Sequence, residues 1–515
     1  MFGIYNLFDT VCATVPEKIF LVDGENRLSY ARVRETTNRL AYGLHELGIR
    51  GGSNVGYLLQ NGERCIECFF GLQKLGAFMT PFNFRFNTQE IGEYIDMIGC
   101  EYFIYGKQFN EQINTLKAAR PGVVWIADDD ERGEHRLGEL MDNDMGHWDF
   151  FEDLGPESPA IAILTGGSTG RSKAAVHSKY GMIMQQWTRQ TWLFNAARCS
   201  TPMVYLLTSP LFHVGGIGPM FNVLAAHGTL IFSGASFNVE KLARTVERER
   251  VTDMVLIPPN LAQSIKDCGV DKKYDLSSVV SIGIGGSLIT VNHIKTVLEV
   301  FPNCACDLLY TQSEYATFIS CTIDAQTLEE HPERLSSVGK PVYFTEAKVM
   351  RDDGTEAAAD EVGELYARCA GIMSGYLNQA SPFAEGWLPT GDLFRKDAEG
   401  YYYFVDRKKD MIKSGGENVF SAEVENVLKQ HPAVSEVAVV GLPDEFFGEA
   451  VTAAVVLAPG AHATEAELID FCRERISSYK KPRRVFFVEA IPKSAIGKTQ
   501  KARLKELLLG GAAIP

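Results

Sequence analysis

The run Thr165-Gly166-Gly167-Ser168-Thr169-Gly170-Arg171-Ser172-Lys173 concentrates glycines, hydroxyls and a lysine in one short loop. Glycines let successive backbone N–H groups turn toward one point, the hydroxyls add donors, and Lys173 adds positive charge. That composition makes a phosphate cradle. It is not a Walker A loop, because no Gly-Lys-[Ser/Thr] closes it. A second segment, Pro492-Lys493-Ser494-Ala495-Ile496-Gly497-Lys498-Thr499, follows an apolar run, precedes a basic helical pattern and imitates a P-loop. Proline stands there where a P-loop needs glycine, and it can neither donate an N–H nor take a positive φ. The P-loop NTPase class is therefore rejected, while Lys498 stays a candidate cation near the C-terminus.

Three further constellations could do chemistry. Tyr310-Thr311-Gln312-Ser313-Glu314 sets a carboxylate beside hydroxyls after an apolar pair, which suits a hard cation such as Mg²⁺, and Tyr310 offers a flat face for a base. A surface strand end would look the same. Thr390-Gly391-Asp392 puts an Asp on an expected tight turn, where it could accept both hydroxyls of a ribose or simply close an Asx-turn. Residues 406–418, from Asp406-Arg407-Lys408-Lys409 through Gly415-Gly416, combine dense charge with paired glycines. They fit a hinge that visits an anionic site, or a solvated charged linker.

The elements that must hold these residues alternate between strand and helix. Residues 27–49 read as a turn and an amphipathic helix with Leu40, Leu44 and Leu47 on one face. Residues 54–59 read as a strand, followed by a helix that ends at Gly76. Short apolar runs at 160–164, 204–208, 229–232, 254–258 and 279–284 continue the pattern, which implies α/β layering with a substantially parallel sheet. Strands at 437–441, 450–457 and 485–488, with a helix opening on a Thr464/Glu467 capping box, form a small α+β domain. Its start falls near residues 406–409, giving domains 1–406 and 407–515.

Composition narrows the function classes. The 515-residue chain has 50 Lys+Arg against 65 Asp+Glu, a net charge of -15, which argues against non-specific nucleic-acid binding but not against a local anion site. Its 11 cysteines lack regular pairing, so Cys65/Cys68 and Cys304/Cys306 read as buried small hydrophobes of a reduced protein. The first residues lack a signal peptide's basic and long apolar regions, and no apolar run approaches the roughly 18–20 residues of a membrane span. The expectation is a cytoplasmic protein without a membrane span.

Taken in order and spacing, these motifs resemble the adenylate-forming (ANL) superfamily of acyl-CoA synthetases, peptide-synthetase adenylation domains and luciferases. Pro210-Leu211-Phe212-His213, Ser337-Val338-Gly339-Lys340-Pro341, and the stretch from Gly363-Glu364-Leu365 to Gly375-Tyr376-Leu377-Asn378 match as well, so the likeness spans nearly the whole chain. The resemblance implies a large N-terminal domain of mixed sheets sandwiched with helices and a small mobile α+β C-terminal domain. It implies ATP, Mg²⁺ and coenzyme A as reactants or cofactors, a small carboxylic acid as substrate, and no nucleic acid; a homodimer stays open. The loop from Thr165 through Gly166, Gly167, Ser168, Thr169 and Gly170 to Lys173 would hold the β- and γ-phosphates. Gly285, Gly286 and Ser287 with Tyr310 would sandwich adenine, Ser313 would touch the α-phosphate, and Glu314 would hold Mg²⁺. Asp392 and Arg407 would take the ribose, and Lys498 would bridge carboxylate and α-phosphate. Lys409 falls at the pivot between half-reactions. Gly415-Gly416 would then wall a pantetheine tunnel, with His213 at the mouth of the acyl pocket and Thr311 at its floor.

The chain departs from the usual pattern in places. Ser172-Lys173-Ala174 replaces Pro-Lys-Gly, Tyr310-Thr311-Gln312-Ser313-Glu314 replaces Tyr-Gly-x-Thr-Glu, and Arg368-Cys369 replaces Arg-Gly. Val214 follows His213 where amino-acid-activating relatives carry Asp, and an unpaired buried ammonium is costly. The expected activity is AMP-forming ligation of a carboxylate to coenzyme A, with Thr311 and the apolar Phe212, Ile217 and Leu288 suggesting a medium-chain, branched or aromatic acid. The alternatives are loading of a carrier protein, and a catalytically silent nucleotide-binding regulator, against which the retained Lys498 speaks.

Overall fold

The computed structural model describes residues 3–128, 135–145, 148–152, 154–165, 173–193, 202–234, 238–256, 261–285, 289, 291–493 and 499–510. By packing, these form two compact units: residues up to 335 with 341–346 and 368–382, and residues 336–340, 347–367 and 383 onward.

The first unit is built on two helix-covered sheets. In one, parallel strands run in the spatial order Ala305–Gln312, Ser281–Gly285, Asp253–Leu256, Val204–Leu207, Thr229–Phe232 and Ile19–Asp23, flanked by antiparallel Tyr315–Ile323 and Asn26–Ser29. In the other, Pro159–Thr165, Phe78–Pro81, Asn54–Leu58, Tyr102–Gly106 and Val124–Asp128 are parallel. Antiparallel Lys173–Ser178 and then Gly375–Tyr376 extend that sheet beyond Pro159–Thr165. Strands covered on both faces need near-continuous apolar runs, and Phe20, Leu21, Leu206, Ile282 and Ile284 are all buried.

The helix read at 27–49 forms as Tyr30–Glu46, with Ser29 as N-cap accepting from the Arg32 N–H, and buries Leu40 and Leu44. Cys65 and Cys68 are buried on the helix Glu63–Lys74, and Cys304 and Cys306 are buried beside and within a strand, as small hydrophobes. No helix among the described residues is long and apolar enough to cross a membrane.

The second unit carries a sheet ordered Thr345–Met350, Gly363–Cys369, Leu388–Lys396 and Tyr402–Arg407, the last three antiparallel to one another in turn. It also carries a sheet ordered Glu417–Val419, Ile412–Ser414, Gly448–Leu457 and Val434–Asp444, with Arg484–Phe487 parallel to Gly448–Leu457. The Thr464/Glu467 capping box forms, opening the helix Glu465–Arg473. Within this unit the helix Ser421–Leu428 has no side-chain cap from its own N-cap, Phe420. Instead the buried Asp406 carboxylate accepts from Ser421 Oγ at 2.7 Å and from the Ala422 N–H at 3.2 Å, fastening strand end to helix start.

Candidate active site

Thr165 and Lys173 are register partners in the antiparallel pair Pro159–Thr165 and Lys173–Ser178. Gly166, Gly167, Ser168, Thr169 and Gly170 lie outside the described residues. Lys173 places its Nζ 4.4 Å from the ring centroid of Tyr376, which pairs with Ala175 at the sheet edge. The Tyr376 hydroxyl donates to Glu314 Oε1 at 2.5 Å. Burial, reinforced by that carboxylate, pushes the Tyr376 phenol well above its ordinary range, so it stays a donor. Lys173, Tyr376 and Glu314 thus make one chain from cation through phenol to carboxylate.

Tyr310, Thr311 and Gln312 end the strand Ala305–Gln312, and Ser313-Glu314 form the turn into Tyr315–Ile323. Gln312 Nε2 donates to the Tyr310 hydroxyl at 3.0 Å, and the Tyr310 ring packs on Phe318. Gly285 ends the neighbouring parallel strand in register with Leu309, which sets it beside Tyr310; Gly286 and Ser287 lie outside the described residues.

A residue that sequence reasoning passed over holds the turn. His177 is fully buried on the strand Lys173–Ser178, and its Nε2 lies 2.8 Å from the Ser313 carbonyl oxygen. A carbonyl can only accept, so Nε2 carries the proton and Nδ1 accepts from Gln185 Nε2 at 2.9 Å. Gln185 also donates to the Gly371 carbonyl at 2.7 Å. Burial holds the imidazole down to about 4, so it is neutral at ordinary pH. A histidine directly after Ala-Ala-Val in a buried strand was the available signal.

His213 is the N-cap of the helix Val214–Ala225, its Nδ1 accepting from the Gly215 N–H at 3.2 Å. The next residue, Gly216, is forced by space: a Cβ there would sit 2.2 Å from the Pro210 carbonyl oxygen. Close by, Ile163, Val214, Ile217 and Ala316 line a small apolar space. Ile163 precedes Thr165 by two residues on one strand and so shares its side of the sheet.

In the second unit Asp392 and Arg407 are register partners, with Arg407 Nε 3.7 Å from Asp392 Oδ1. The sequence suggested a tight turn for Thr390-Gly391-Asp392; these residues form a bulge within the strand Leu388–Lys396, where the register with Gly363–Cys369 shifts and Gly391 takes a φ of 73°. Long-range bonds hold them there: Thr390 Oγ1 donates to the Leu365 carbonyl, and the Gly391 N–H donates to Glu364. Lys409 sits in the short 3₁₀ turn Lys408–Asp410, and burial lowers its ammonium below the usual range. Gly415 and Gly416 have φ of 62° and 85° and join Ser414 to its register partner Glu417. Two consecutive positive φ angles are what a type I′ hairpin turn demands, which explains the paired glycines. Lys498 lies outside the described residues; Lys493 and Thr499, on either side of it, form an antiparallel bridge.

No group of three or more His, Cys, Asp or Glu side chains gathers among the described residues to hold a metal by itself. Glu314, one carboxylate among hydroxyls, fits Mg²⁺ that arrives on a nucleotide, because that ion keeps phosphate oxygens and waters as its other ligands.

Comparison with known proteins agrees with this arrangement. A family model described as AMP-binding enzyme matches residues 8–377, and one described as AMP-binding enzyme C-terminal domain matches residues 423–498. The indoleacetate–CoA ligase of Aromatoleum aromaticum is 29% identical over 499 residues, covering 96% of both chains. A long-chain-fatty-acid–CoA ligase of Mycobacterium tuberculosis is 31% identical over 495 residues, 93% of each. The o-succinylbenzoate–CoA synthetase of Bacillus subtilis, solved with its acyl-adenylate intermediate, superimposes with a TM-score of 0.84 at 26% identity, over 97% of this chain and 98% of that one. Family models that match in both parts, relatives that align from end to end and a shared fold all agree: the chain belongs to the AMP-binding enzyme family of adenylate-forming proteins and is an AMP-forming acid–thiol ligase of the acyl-CoA synthetase kind, working with ATP, Mg²⁺ and coenzyme A.

Proposed function

We propose that this ligase activates a medium-chain, branched or aromatic acid, with its acyl pocket in the cavity beside His213. Support comes from the apolar side chains that line this space. Thr311, intermediate in size next to Tyr310, points the same way.

The residue roles follow from charge and position. Thr165 through Gly170, with Lys173, would bind the β- and γ-phosphates, and Gly285, Gly286, Ser287 and Tyr310 the adenine. Ser313 would bind the α-phosphate, and Asp392 and Arg407 the ribose. Glu314 would hold Mg²⁺, which supplies charge neutralisation on the phosphates when bound. A carboxylate attacking the α-phosphorus brings anions together, and Lys498 would stabilise the charge that accumulates as the new P–O bond forms and pyrophosphate leaves. The resulting mixed anhydride needs little further activation for attack by the thiol of coenzyme A. Lys409 would be the pivot that exchanges the Lys498 face for the Gly415-Gly416 face between the two steps, within a mobile segment 407–515.

The observation that carries these roles is the chain from Lys173 over Tyr376 to Glu314, which sets a cation and a carboxylate around one point next to the phosphate loop. The test is pyrophosphate release across a carboxylate panel, with Lys498→Ala alongside. Lys498→Ala is expected to lose adenylation while still making thioester from supplied acyl-adenylate. Acetate as the best substrate would refute the acid class, and equal loss in both half-reactions would refute the role of Lys498.

A further inference from the structure

The Ser313-Glu314 turn is fastened at three points. His177 Nε2 donates to the Ser313 carbonyl at 2.8 Å, the Met373 N–H donates to the Glu314 carbonyl at 2.9 Å, and the Tyr376 hydroxyl donates to the Glu314 carboxylate. The last two donors belong to the segment 371–376, which runs along the strand Lys173–Ser178: the Ser374 N–H donates to the Val176 carbonyl, and Tyr376 pairs with Ala175. Gln185, on the helix Lys179–Leu193, is bonded to both sources of donors. Its Nε2 lies 2.9 Å from His177 Nδ1 and 2.7 Å from the Gly371 carbonyl oxygen. The bonds therefore close into a circuit that runs from Ser313 through His177, Gln185, Gly371 and Met373 back to Glu314.

Both ends of the side-chain path are carbonyl oxygens, and that fixes every proton along it. The Ser313 carbonyl takes the proton of His177 Nε2, so Nδ1 of the neutral ring can only accept. The Gly371 carbonyl can only accept as well. The one Gln185 atom within reach of both is the amide nitrogen, whose two hydrogens serve one acceptor each. A carboxyl in its place has at most one hydrogen, and a carboxylate has none. His177 is 0% and Gln185 2% exposed, so water is not at hand to replace a lost bond. The backbones also meet closely: a Cβ on Gly371 would sit 2.8 Å from the Gln185 backbone nitrogen.

We propose that Gln185 is a positioning residue for the adenylation step, acting through His177 and the segment 371–376 to aim the Glu314 carboxylate at the Mg²⁺ that enters with the nucleotide. The inference rests on Glu314 being the metal ligand, as proposed above, and adds the side chain that sets its direction. Mg²⁺ demands nearly ideal octahedral geometry, so a ligand aimed before the ion arrives binds it better than one left to swing.

The experiment titrates ATP into the full-length protein in a calorimeter, once with Mg²⁺ and once with EDTA. No acid is present, so nothing turns over. The ratio of the two Kd values is the metal's contribution to binding. Gln185→Leu and Gln185→Glu are each expected to cut that ratio roughly tenfold while leaving the Kd in EDTA within about twofold of the wild type. Adenylation kcat should fall in parallel, and thioester formation from supplied acyl-adenylate, which needs no metal-bound triphosphate, should be kept. A role in packing alone would leave the isosteric Gln185→Glu near wild type, and that result overturns the inference, as does an unchanged ratio in Gln185→Leu. Glu314→Gln separates the two claims. If it keeps the wild-type ratio, Glu314 is not the metal ligand; if it loses the ratio while both Gln185 variants retain it, only the role of Gln185 falls. Nitrogen-15 labelling of the histidines reads the proton order in the wild type itself, without any Gln185 variant having to fold. His177, assigned by its absence from the spectrum of His177→Phe, should carry its proton on Nε2, and a proton on Nδ1 instead overturns the inference.

Discussion

His177 allows a sharp test, because its fold-imposed neutrality and its grip on the Ser313-Glu314 turn are one feature. Its ordinary value is 6.5 and burial lowers it to about 4 in the folded chain. Between those values the unfolded chain binds a proton that the folded chain refuses. The stabilisation is therefore fully present above about pH 6.5 and is lost as pH falls toward 4. From pH 7 to pH 5 the loss attributable to this one side chain is about 2 kcal/mol. Glu67 works in the opposite sense: burial raises its carboxyl to about 7 against the pull of Arg64, so its folded form gains as pH falls from 7 toward 4.5. The wild-type pH profile alone is thus a sum, and the informative quantity is the difference between the wild type and His177→Phe. At pH 7 the variant should be less stable by about 1–3 kcal/mol, because the Ser313 carbonyl loses its buried donor. At pH 5 that deficit should shrink by about 2 kcal/mol or reverse, since phenylalanine cannot be protonated. Urea unfolding of both proteins at the two pH values reads this directly. Parallel pH profiles would refute the buried neutral imidazole. A parallel loss in kcat at pH 7 is expected, because the same bond positions Ser313 and Glu314.

Two other outcomes follow from particular bonds. Tyr376→Phe removes the donor to Glu314 but keeps the ring under Lys173, so kcat for adenylation should fall roughly five- to thirtyfold; a change under about twofold would remove this hydroxyl from the machinery. Asp406→Ala strips the acceptor from Ser421 Oγ and from the Ala422 and Arg407 N–H groups, and should destabilise the second unit by about 3 kcal/mol. Amide exchange in the helix Ser421–Leu428 should speed up accordingly, and unchanged protection there would show that the helix does not depend on this cap.

Much of the fold was legible because its signals are local. The Thr464/Glu467 capping box, the amphipathic helix within residues 27–49 and the apolar runs that became parallel strands each depend on residues within a few positions of one another. The turn expected at Thr390-Gly391-Asp392 survives as a bulge inside a strand: Gly391 takes a φ of 73° and the Asp392 N–H bonds back to Thr390, while bonds to Leu365 and Glu364 on the neighbouring strand tie the segment into the sheet, which no local signal announces. Gly415-Gly416 likewise suggested looseness, while the pairing of Ser414 with Glu417 makes it a tight hairpin turn.

The candidate site divides the same way. Residue types alone supplied the phosphate-loop composition, the lysine near the tail, the carboxylate at Glu314 and the family likeness, because charge, hydroxyl and glycine content are written in the chain whatever its fold. Only the tertiary structure decided that Tyr376 would donate to Glu314 across 62 positions, that His177 would hold the Ser313 carbonyl across 136, and that Gln185 would be satisfied while its neighbour Gln186 kept an oxygen without a partner among the described residues. Whether a buried polar atom finds a partner depends on strand register and helix facing between segments far apart in sequence, and no local pattern of residues encodes that.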